Sequence, residues 1–594
     1  MKIKTGIAFG DHIKTEKIFR RKYTERENYS LRGFFLIFIL LVGVGILGFQ
    51  LLNLQVVKGA YYRNLSDSNR IRTKIIFAPR GVLFDRNNTP LVINSPGYRR
   101  IVGEKTNLVS RDKALDGIAN GDDSILIDSM RSYPYKESFS HVLGYVGQIT
   151  KEELESDRYA EYLITDWVGK TGLEWQYEPF LKGINGKQLV EVDASGKEIR
   201  VLGQTDPVAG NNITLTLDAK LQDAAYRAME NNPKGAVIIS NPQGEILTLI
   251  SKPSFDPNLF TLDESYKASE SGYQSAGEIV TDGVNLPLLD RAISGVYPPA
   301  STFKIVTSAA GLNTGLIDEK YVVEDTGVVR VGEFSFANWF YTQYGRTDGE
   351  VNVVKALARS NDIFYYILAG KIGVDRISET ASQMGVGKKL GIDLAGEAAG
   401  ILPTKKWKIS QIGEQWYLGD NYHYGIGQGY LLSTPLQVNA WTSAIGNKGK
   451  IYSPHLVKDS KPQLVADSKL TDKTVNLIRQ GMIDACRNGG TAYPLFDFAV
   501  ENSTLKADGK NIIDVKESSG SAKVGMKKIT IACKTGTAEH GGEDTAPHAW
   551  ITLLAPAYDP EIIVTVLAEE RGEGSAEAAP VAKKILEEWF KRKR

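Results

Sequence analysis

The sequence predicts a membrane-anchored α+β protein with two domains beyond the anchor. Three observations indicate this: an uncharged apolar segment near the N-terminus, short alternating runs broken by Gly, Asn and Pro up to about residue 211, and a C-terminal region with strand patterns at both ends and helical patterns between them. We expect an N-terminal tail (1–32), a transmembrane helix (33–57), a β-rich pedestal domain (58–211), and a C-terminal domain (212–594) with one antiparallel sheet flanked by helices.

The composition is that of an ordinary globular protein. The 594 residues are 42% hydrophobic and 24% charged, and the net charge of +1 gives no reason to expect nucleic acid as a partner. The six histidines form no H-E-x-x-H motif and no Cys/His ligand cluster, so we expect neither a metal nor a cofactor. Cys486 and Cys533 are too few for a disulfide framework, and the sequence does not decide whether they pair.

The anchor is the uncharged segment from Gly33 to Val57. At about 1.5 Å per residue it is long enough to cross a hydrocarbon core of about 30 Å. A cleaved signal peptide fits less well, because the apolar stretch is too long and no clear A-x-A site follows it. Nine Lys and Arg residues against four acidic residues in 1–32 favour a cytoplasmic N-terminus. Most of the chain would then lie outside the cytoplasm.

The pedestal domain is expected to mix short strands with helical insertions. The stretch YAEYLITDWVGKTGLEWQYEPFLKG (159–183) has a largely helical pattern. Its G-K-T is not a Walker A motif, because Ile164 stands where that motif requires Gly. Residues 207–212 have the composition of a linker.

Strand patterns define the C-terminal domain. GAVIISN and GEILTLIS predict a hairpin around P-Q-G, and KKITIACKTG, HAWITLLAP and EIIVTVLAEE predict three late strands before a final helix. His548 is expected to be a structural residue of the second late strand.

The first chemical motif is S-x-x-K at Ser301 and Lys304. Pro298 and Pro299 end a loop, so Ser301 falls in the first turn of a helix and Lys304 lies on the same helical face. Such a pair can act as a nucleophile and its base. The simpler interpretation is a helix cap, and S-x-x-K recurs by chance at Ser110 and Ser503.

Two further motifs follow in order: Ser360 with Asp362, and Lys534-Thr535-Gly536-Thr537 at the end of an apolar strand. Burial and the charge of Lys534 would lower the pKa of Lys304, and Ser360 could relay a proton to a leaving amine. Asp362 would hold the cluster together. Gly536 would let a substrate lie along the strand, while Thr535 and Thr537 would bind its carboxylate. The backbone N–H groups of Ser301 and Thr537 would form an oxyanion hole.

S-x-x-K, S-x-D/N and K-T-G in this order resemble the penicillin-binding enzymes. Beyond the motifs, the chain is similar to the class B penicillin-binding proteins, the monofunctional D,D-transpeptidases of cell-wall synthesis. The resemblance runs from about residue 30 to the C-terminus and includes two pedestal signatures, APRGVLFDRNNTPLVIN and GKTGLEWQYEPFLKGINGKQ, and the blocks NPQGEILTLISKPSFDPN, YGIGQGYLLSTPLQV and PHAWITLLAP.

The elongation type of this class, penicillin-binding protein 2, fits best because Asp362 and the region 391–438 match it. The resemblance implies a serine acyl-enzyme mechanism in which Ser301, Lys304, Ser360 and Lys534 are catalytic and Asp362, Thr535, Gly536 and Thr537 contact the substrate. It also implies stem peptides of lipid II-derived glycan as substrate, β-lactams as inhibitors, and a RodA-type SEDS glycosyltransferase as partner through the transmembrane helix and pedestal.

The sequence departs from the family pattern at two places. Cys533 stands where Gly is usual, and Asn87-Asn88 stands where Asn-Gly is common. Alternatives are a division-type transpeptidase, which more often carries Asn at the position of Asp362, and a catalytically silent scaffold or β-lactam sensor, in which eroded motifs would be expected. A β-lactamase is disfavoured by the anchor, the pedestal and the absence of a recognisable deacylating base.

Overall fold

The computed structural model describes residues 31–193, 197–268, 272–516, 522–542 and 545–592. Most of the predicted tail, residues 1–30, lies outside this range. The chain divides into two compact units, one formed by the N-terminal segment to Lys74 with Gln188–Gln204, and the other by Ile75–Lys187 with Thr205–Arg594.

The helices are α1 (Leu31–Leu52), α2 (Gly59–Arg70), α3 (Arg111–Ala119), α4 (Ser140–Leu143), α5 (Lys151–Leu154), α6 (Gly172–Gln176), α7 (Glu178–Leu181), α8 (Ala219–Ala228), α9 (Asn258–Thr261), α10 (Ala276–Thr281), α11 (Lys304–Asn313), α12 (Trp339–Tyr344), α13 (Val353–Arg359), α14 (Asp362–Ile372), α15 (Val374–Gln383), α16 (Lys405–Ile412), α17 (Leu418–Gly425), α18 (Pro435–Gly446), α19 (Asp472–Ala485) and α20 (Ala579–Arg592).

The strands are β1 (Ile71–Ile76), β2 (Leu83–Phe84), β3 (Pro90–Val102), β4 (Lys105–Val109), β5 (Ile125–Ser132), β6 (Val146–Gln148), β7 (Trp167–Gly169), β8 (Gly186–Val192), β9 (Glu198–Thr205), β10 (Ile213–Thr214), β11 (Gly235–Ser240), β12 (Ile246–Lys252), β13 (Val322–Asp325), β14 (Val328–Val331), β15 (Phe334–Ala337), β16 (Gly349–Asn352), β17 (Lys450–Tyr452), β18 (Leu464–Asp467), β19 (Ala499–Glu501), β20 (Ile512–Lys516), β21 (Ala522–Ile529), β22 (Ala532–Ala538), β23 (His548–Ala555) and β24 (Ile562–Ala568).

The first unit contains the apolar helix. The segment Gly33–Val57 combines α1 with one turn of π-helix, Asn53–Val57, and is long and apolar enough to cross a membrane. It is the one segment of this kind among the described residues. The order β1-β8-β9 forms a three-stranded sheet in which Glu191 pairs with both Arg70 and Arg200.

A buried ion network joins the two pedestal signatures. Arg80, from the first signature, donates to Glu174 at 2.8 Å and to Glu178 at 2.7 Å, both from the second signature. Arg131 of β5 donates to the other oxygen of Glu174 at 2.6 Å. Because the Glu174 side chain is fully buried, the two guanidinium groups are needed to compensate its charge.

The turn between β2 and β3 explains one departure from the family pattern. Asp85 Oδ1 accepts hydrogen bonds from the backbone N–H groups of Asn87 and Thr89. Asn88 has φ +64°, in the left-handed region that Asn tolerates better than most residues with a side chain. Asn88 therefore fits a position where Gly is common.

The expectation that 159–183 is largely helical is wrong. This stretch contains β7, paired with β6, and only the short helices α6 and α7. Three glycines make close backbone contacts here. A Cβ on Gly169 would lie 2.0 Å from the Glu174 carbonyl oxygen, and a Cβ on Gly172 would lie 2.5 Å from Gly144 N. A Cβ on Gly183 would lie 2.4 Å from the Val208 carbonyl oxygen. These approaches require tight turns in place of continuous helix.

The predicted antiparallel sheet of the C-terminal domain is present, with strand order β12-β11-β24-β23-β22. Strands from both ends of the domain meet in it, since β11 pairs with β24. Alternating residues of β11 enter two cores: Ala236 and Ile238 pack with α11, α14 and α18, and Val237 and Ile239 pack with α8 and α20. The predicted first late strand is divided into β21 and β22. Strand β22 is an edge of the sheet.

Candidate active site

Ser301 lies in a one-turn 3-10 helix, Ala300–Phe303, that leads into α11 at Lys304. Ala300 has φ +47°, which is costly for a residue with a Cβ, and its N–H donates to the Gly427 carbonyl oxygen at 2.8 Å. A Cβ on Gly427 would lie 2.1 Å from the Ala300 carbonyl oxygen. The Y-G-I-G-Q-G block thus supports the turn that presents Ser301.

Ser360 occupies a strained turn between α13 and α14. It is the C-cap of α13 with φ +53°, and Asn361 caps α14 by accepting from Phe364 N. The Asn361 amide donates to Asp325 at 2.8 Å and to Asp348 at 3.1 Å. These bonds fix the backbone conformation that turns Ser360 towards α11.

Lys304 joins the first two motifs. Its fully buried Nζ donates to the Ser360 carbonyl oxygen at 2.8 Å, to Ser360 Oγ at 3.2 Å and to Asp362 Oδ1 at 2.6 Å. Burial lowers the pKa of Lys304, while the charge of Asp362 opposes this effect. A lysine in this environment can exist as a neutral base at a lower pH than an exposed lysine.

Both oxygens of Asp362 are used inside the protein. Oδ1 accepts from Lys304 and Oδ2 accepts from Trp339 N at 3.1 Å. The Asp362 N–H donates to Asn338 Oδ1 at 3.2 Å. The geometry therefore favours a role for Asp362 in positioning Lys304 and not in direct contact with the substrate.

Lys534 approaches the same cluster from β22. Its side chain is fully buried, and Nζ donates to the Thr535 carbonyl oxygen at 2.8 Å. Burial holds the pKa of Lys534 well below its usual range, and the positive charge of Lys304 lowers it further. The structure thus brings Ser301, Lys304, Ser360 and Lys534 to one place between α11, the α13–α14 turn and the edge strand.

The remaining K-T-G residues differ in exposure. Thr535 is nearly buried and shares a hydrogen bond of 2.8 Å with Thr491, whereas Thr537 is exposed. A Cβ on Gly536 would lie 3.2 Å from Thr302 and 3.3 Å from the Pro299 carbonyl oxygen. A side chain at position 536 would therefore crowd the turn that carries Ser301.

The two cysteines form a disulfide behind this strand. Cys533, in β22, is bonded to Cys486 at the end of α19. Both are buried in the core formed with α8 and α20. This answers the pairing question that the sequence left open. His548 begins β23, where its Nδ1 accepts from Glu570 N.

Several residues that organise the site carry no sequence motif. The hairpin segment before α13 holds the Ser360 turn through Asp325, Asn338, Trp339 and Asp348. Arg359, the last residue of α13, donates to Asp348 at 3.0 Å. Their spacing matches no local pattern because they meet only in the folded chain. The one available signal was the polar N-cap Asn361 next to Ser360.

The matches to known proteins agree with this geometry. Residues 234–587 match the penicillin binding protein transpeptidase domain, and residues 123–215 match the penicillin-binding protein dimerisation domain. The peptidoglycan D,D-transpeptidase MrdA of Salmonella typhimurium is 31% identical over 96% of this chain and 97% of its own length.

Two solved structures have the same fold. Penicillin-binding protein 2 of Helicobacter pylori, in its complex with MreC, has a TM-score of 0.71 and 27% identity over 88% of this chain and 99% of its own. A chain from a peptidoglycan synthase complex that coordinates polymerisation and crosslinking has a TM-score of 0.70 and 27% identity over 95% of this chain and 99% of its own. The chain therefore belongs to the class B penicillin-binding proteins of the elongation type, and it is a serine-type peptidoglycan D,D-transpeptidase.

Proposed function

We propose that Ser301 is the nucleophile of this transpeptidase and that Lys304 is its base. The observation that carries the proposal is the fully buried Lys304 amine, one helical turn from Ser301 and within 3.2 Å of Ser360 Oγ. Neutral Lys304 takes the proton of the Ser301 hydroxyl as its oxygen attacks the carbonyl carbon of the D-Ala-D-Ala peptide bond. The backbone N–H groups of Ser301 and Thr537 would form the oxyanion hole and stabilise the negative charge on the carbonyl oxygen.

Ser360 and Lys534 complete the acylation step. The proton held by Lys304 passes through the Ser360 hydroxyl to the leaving amine, and D-Ala departs with its amine neutral or protonated by solvent. Lys534 lies beside this path, and because the two buried amines repel each other when both are charged, only one of them is expected to carry a charge at a time. An amine of a neighbouring stem peptide then attacks the ester, returns a proton along the same path and forms the crosslink.

The edge of β22 is the proposed substrate-binding surface. A stem peptide would pair with this edge as an added strand, since β23 occupies only the other side. The hydroxyls of Thr535 and Thr537 would then meet the terminal carboxylate. Asp362 is assigned to holding Lys304, because both of its oxygens have protein donors. β-Lactams acylate the same serine.

We further propose that the N-terminus is cytoplasmic and that the C-terminal domain lies on the outer side of the cytoplasmic membrane. The basic tail supports this orientation. The Cys486–Cys533 disulfide supports it independently, because disulfides persist mainly in oxidising compartments. A RodA-type SEDS glycosyltransferase is the proposed partner, with Gly33–Val57 and the pedestal as contact surfaces. Gly43, Gly45 and Gly48 permit close helix approach there.

The test is covalent labelling of the detergent-purified full chain with a fluorescent penicillin. Wild-type protein should form a stable adduct that peptide mapping assigns to Ser301, and Ser301→Ala should form none. Ser110→Ala, in the chance S-x-x-K of the pedestal, is the matched control and should label normally. Label on Ser301→Ala would refute the assignment. Folded wild-type protein that takes no label even with the glycosyltransferase present would favour a silent scaffold.

A further inference from the structure

One short segment contacts both the K-T-G strand and the Ser360 turn. This segment, Cys486–Thr491, follows α19 and is called here the clamp segment. Cys486 forms the disulfide with Cys533 of β22, and Thr491 Oγ1 shares a hydrogen bond of 2.8 Å with Thr535 Oγ1. The Gly489 carbonyl oxygen accepts from Arg359 Nη1 at 2.9 Å, and Arg359 directly precedes Ser360.

We propose that the clamp segment is a positioning element that holds β22 against the Ser360 turn, and that Thr491 orients the Thr535 hydroxyl towards the substrate. The inference rests on the function proposed above, in which Thr535 meets the substrate carboxylate. It assigns roles to residues that belong to none of the three motifs.

The disulfide and the Thr491–Thr535 hydrogen bond both fix the position of β22. Alternation puts Cys533 and Thr535 on one face of β22 and Lys534 on the other, towards α11. The disulfide and the threonine pair therefore hold the strand from behind, on either side of Lys534. Cys533 is fully buried and Cys486 is 4% exposed, so this attachment lies in a packed core.

The clamp segment has a backbone that few sequences could follow. Gly489 has φ +92°, in the left-handed region, and a Cβ on Gly490 would lie 2.3 Å from the Ala485 carbonyl oxygen. Ala492 N returns to the same Ala485 carbonyl at 3.0 Å. Helix α19 itself lies close to α13, since a Cβ on Gly481 would lie 2.6 Å from Leu357 Cβ. The segment is thus fixed to the elements that carry both motifs.

The threonine pair gives the clamp segment a direct effect on binding. A hydroxyl has one hydrogen, so Thr535 can donate to a carboxylate only if it does not donate to Thr491. When Thr491 donates to Thr535 Oγ1, the Thr535 hydrogen is free to point at the substrate. Loss of the Thr491 hydroxyl removes the hydrogen bond that fixes the orientation of the Thr535 hydroxyl. We therefore expect weaker binding, with a smaller effect on the chemical step.

The first test compares benzylpenicillin acylation of three variants by stopped-flow, separating the apparent Kd from the acylation rate constant. Thr491→Val should raise the Kd about three- to tenfold, the usual range for one lost hydrogen bond. Thr491→Ser should bind as wild type. Thr474→Val is the control, because Thr471 Oγ1 donates to Thr474 Oγ1 at 2.9 Å at the opposite end of the same helix. Equal Kd values for the two valine variants would overturn the role of Thr491.

The second test removes the disulfide with Cys486→Ala/Cys533→Ala. We expect the acylation rate constant to fall at least threefold. When Thr491→Val is added to this variant, it should raise the Kd by a smaller factor than it does in the wild-type background, because both changes act on one strand. Acylation unchanged from wild type would overturn the clamp. If this variant does not fold, Cys486→Ala/Cys533→Gly, which places at position 533 the residue that is usual in the family, gives the comparison. Failure of the proposed function is separate, since wild-type protein would then lack label at Ser301.

Discussion

The substitution Asp362→Asn tests the electrostatic account of Lys304, the proposed base. Asp362 is the one carboxylate in contact with Lys304 among the described residues, and the substitution removes its charge while keeping its shape. Burial already lowers the pKa of Lys304, and Asp362 opposes that effect. Without the carboxylate, the pKa of Lys304 should fall further. Since the base must be neutral, the acidic limb of the acylation profile should move to lower pH.

The size of this shift can be bounded from the contact. The Lys304 Nζ–Asp362 Oδ1 distance is 2.6 Å. Two unit charges whose centres are about 4 Å apart attract by about 4 kcal/mol at an effective dielectric constant of about 20, which corresponds to about three pKa units. An Asn oxygen still accepts one hydrogen bond, so part of the stabilisation of the ammonium remains. We therefore expect a shift of about one to three pH units.

The assay is the second-order rate constant of fluorescent penicillin acylation from pH 5 to 10, which reports ionisations of the free enzyme. The plateau rate should also fall, because Asn can accept from Lys304 or from Trp339 N but its amide opposes the other donor. Asp128→Asn, which breaks the buried Arg99–Asp128 pair of the pedestal, is the control and should leave the profile in place. An acidic limb that stays put or moves to higher pH in Asp362→Asn would refute the reasoning.

Two further predictions concern the scaffold. Glu174→Ala should lower the free energy of unfolding by about 3–5 kcal/mol, since it removes the carboxylate that pairs with buried Arg131 and leaves Arg80 with Glu178 alone. Denaturant titration measures this, and Glu161→Ala, at an exposed position, should change it little. Gly427→Ala should slow acylation more than tenfold, because its Cβ would displace the Ser301 turn. Gly413→Ala is the control, since Gly413 has the same φ of +81° but no atom within 4 Å of an added Cβ. Equal acylation rates for the two variants would contradict the role of Gly427.

The sequence predicted much of the site because the chemistry is tied to short motifs. Ser301 and Lys304 are one helical turn apart, so their proximity follows from the helix alone. The hairpin β11–β12 and the late strands also follow from local alternation and turn residues. Assembly of the three motifs was inferred from their resemblance to a family, since no local rule brings Ser360 and Lys534 together.

What the sequence could not provide depends on contacts between distant segments. The helical prediction for 159–183 failed because close backbone approaches at Gly169 and Gly172 override the local pattern. The Cys486–Cys533 pairing required the position of α19 behind β22. Asp325 and Asp348 fix the Ser360 turn by accepting hydrogen bonds from Asn361. They lie in a hairpin segment whose sequence has no periodicity that indicates the site.

The pairing of β11 with β24 has a consequence for biosynthesis. Gly235 pairs with Ala568, so the central sheet cannot close until β24 has been synthesised. Until then the β11–β12 hairpin has an unpaired edge. Pairing of β11 with β24 also carries the loop-closure entropy cost of the long chain between them. Folding with such distant contacts is expected to be slow. Because β22 joins the sheet only through β23 and β24, which follow it in the chain, the K-T-G strand takes its place only after these strands are present, and a chain that lacks them is expected to be inactive.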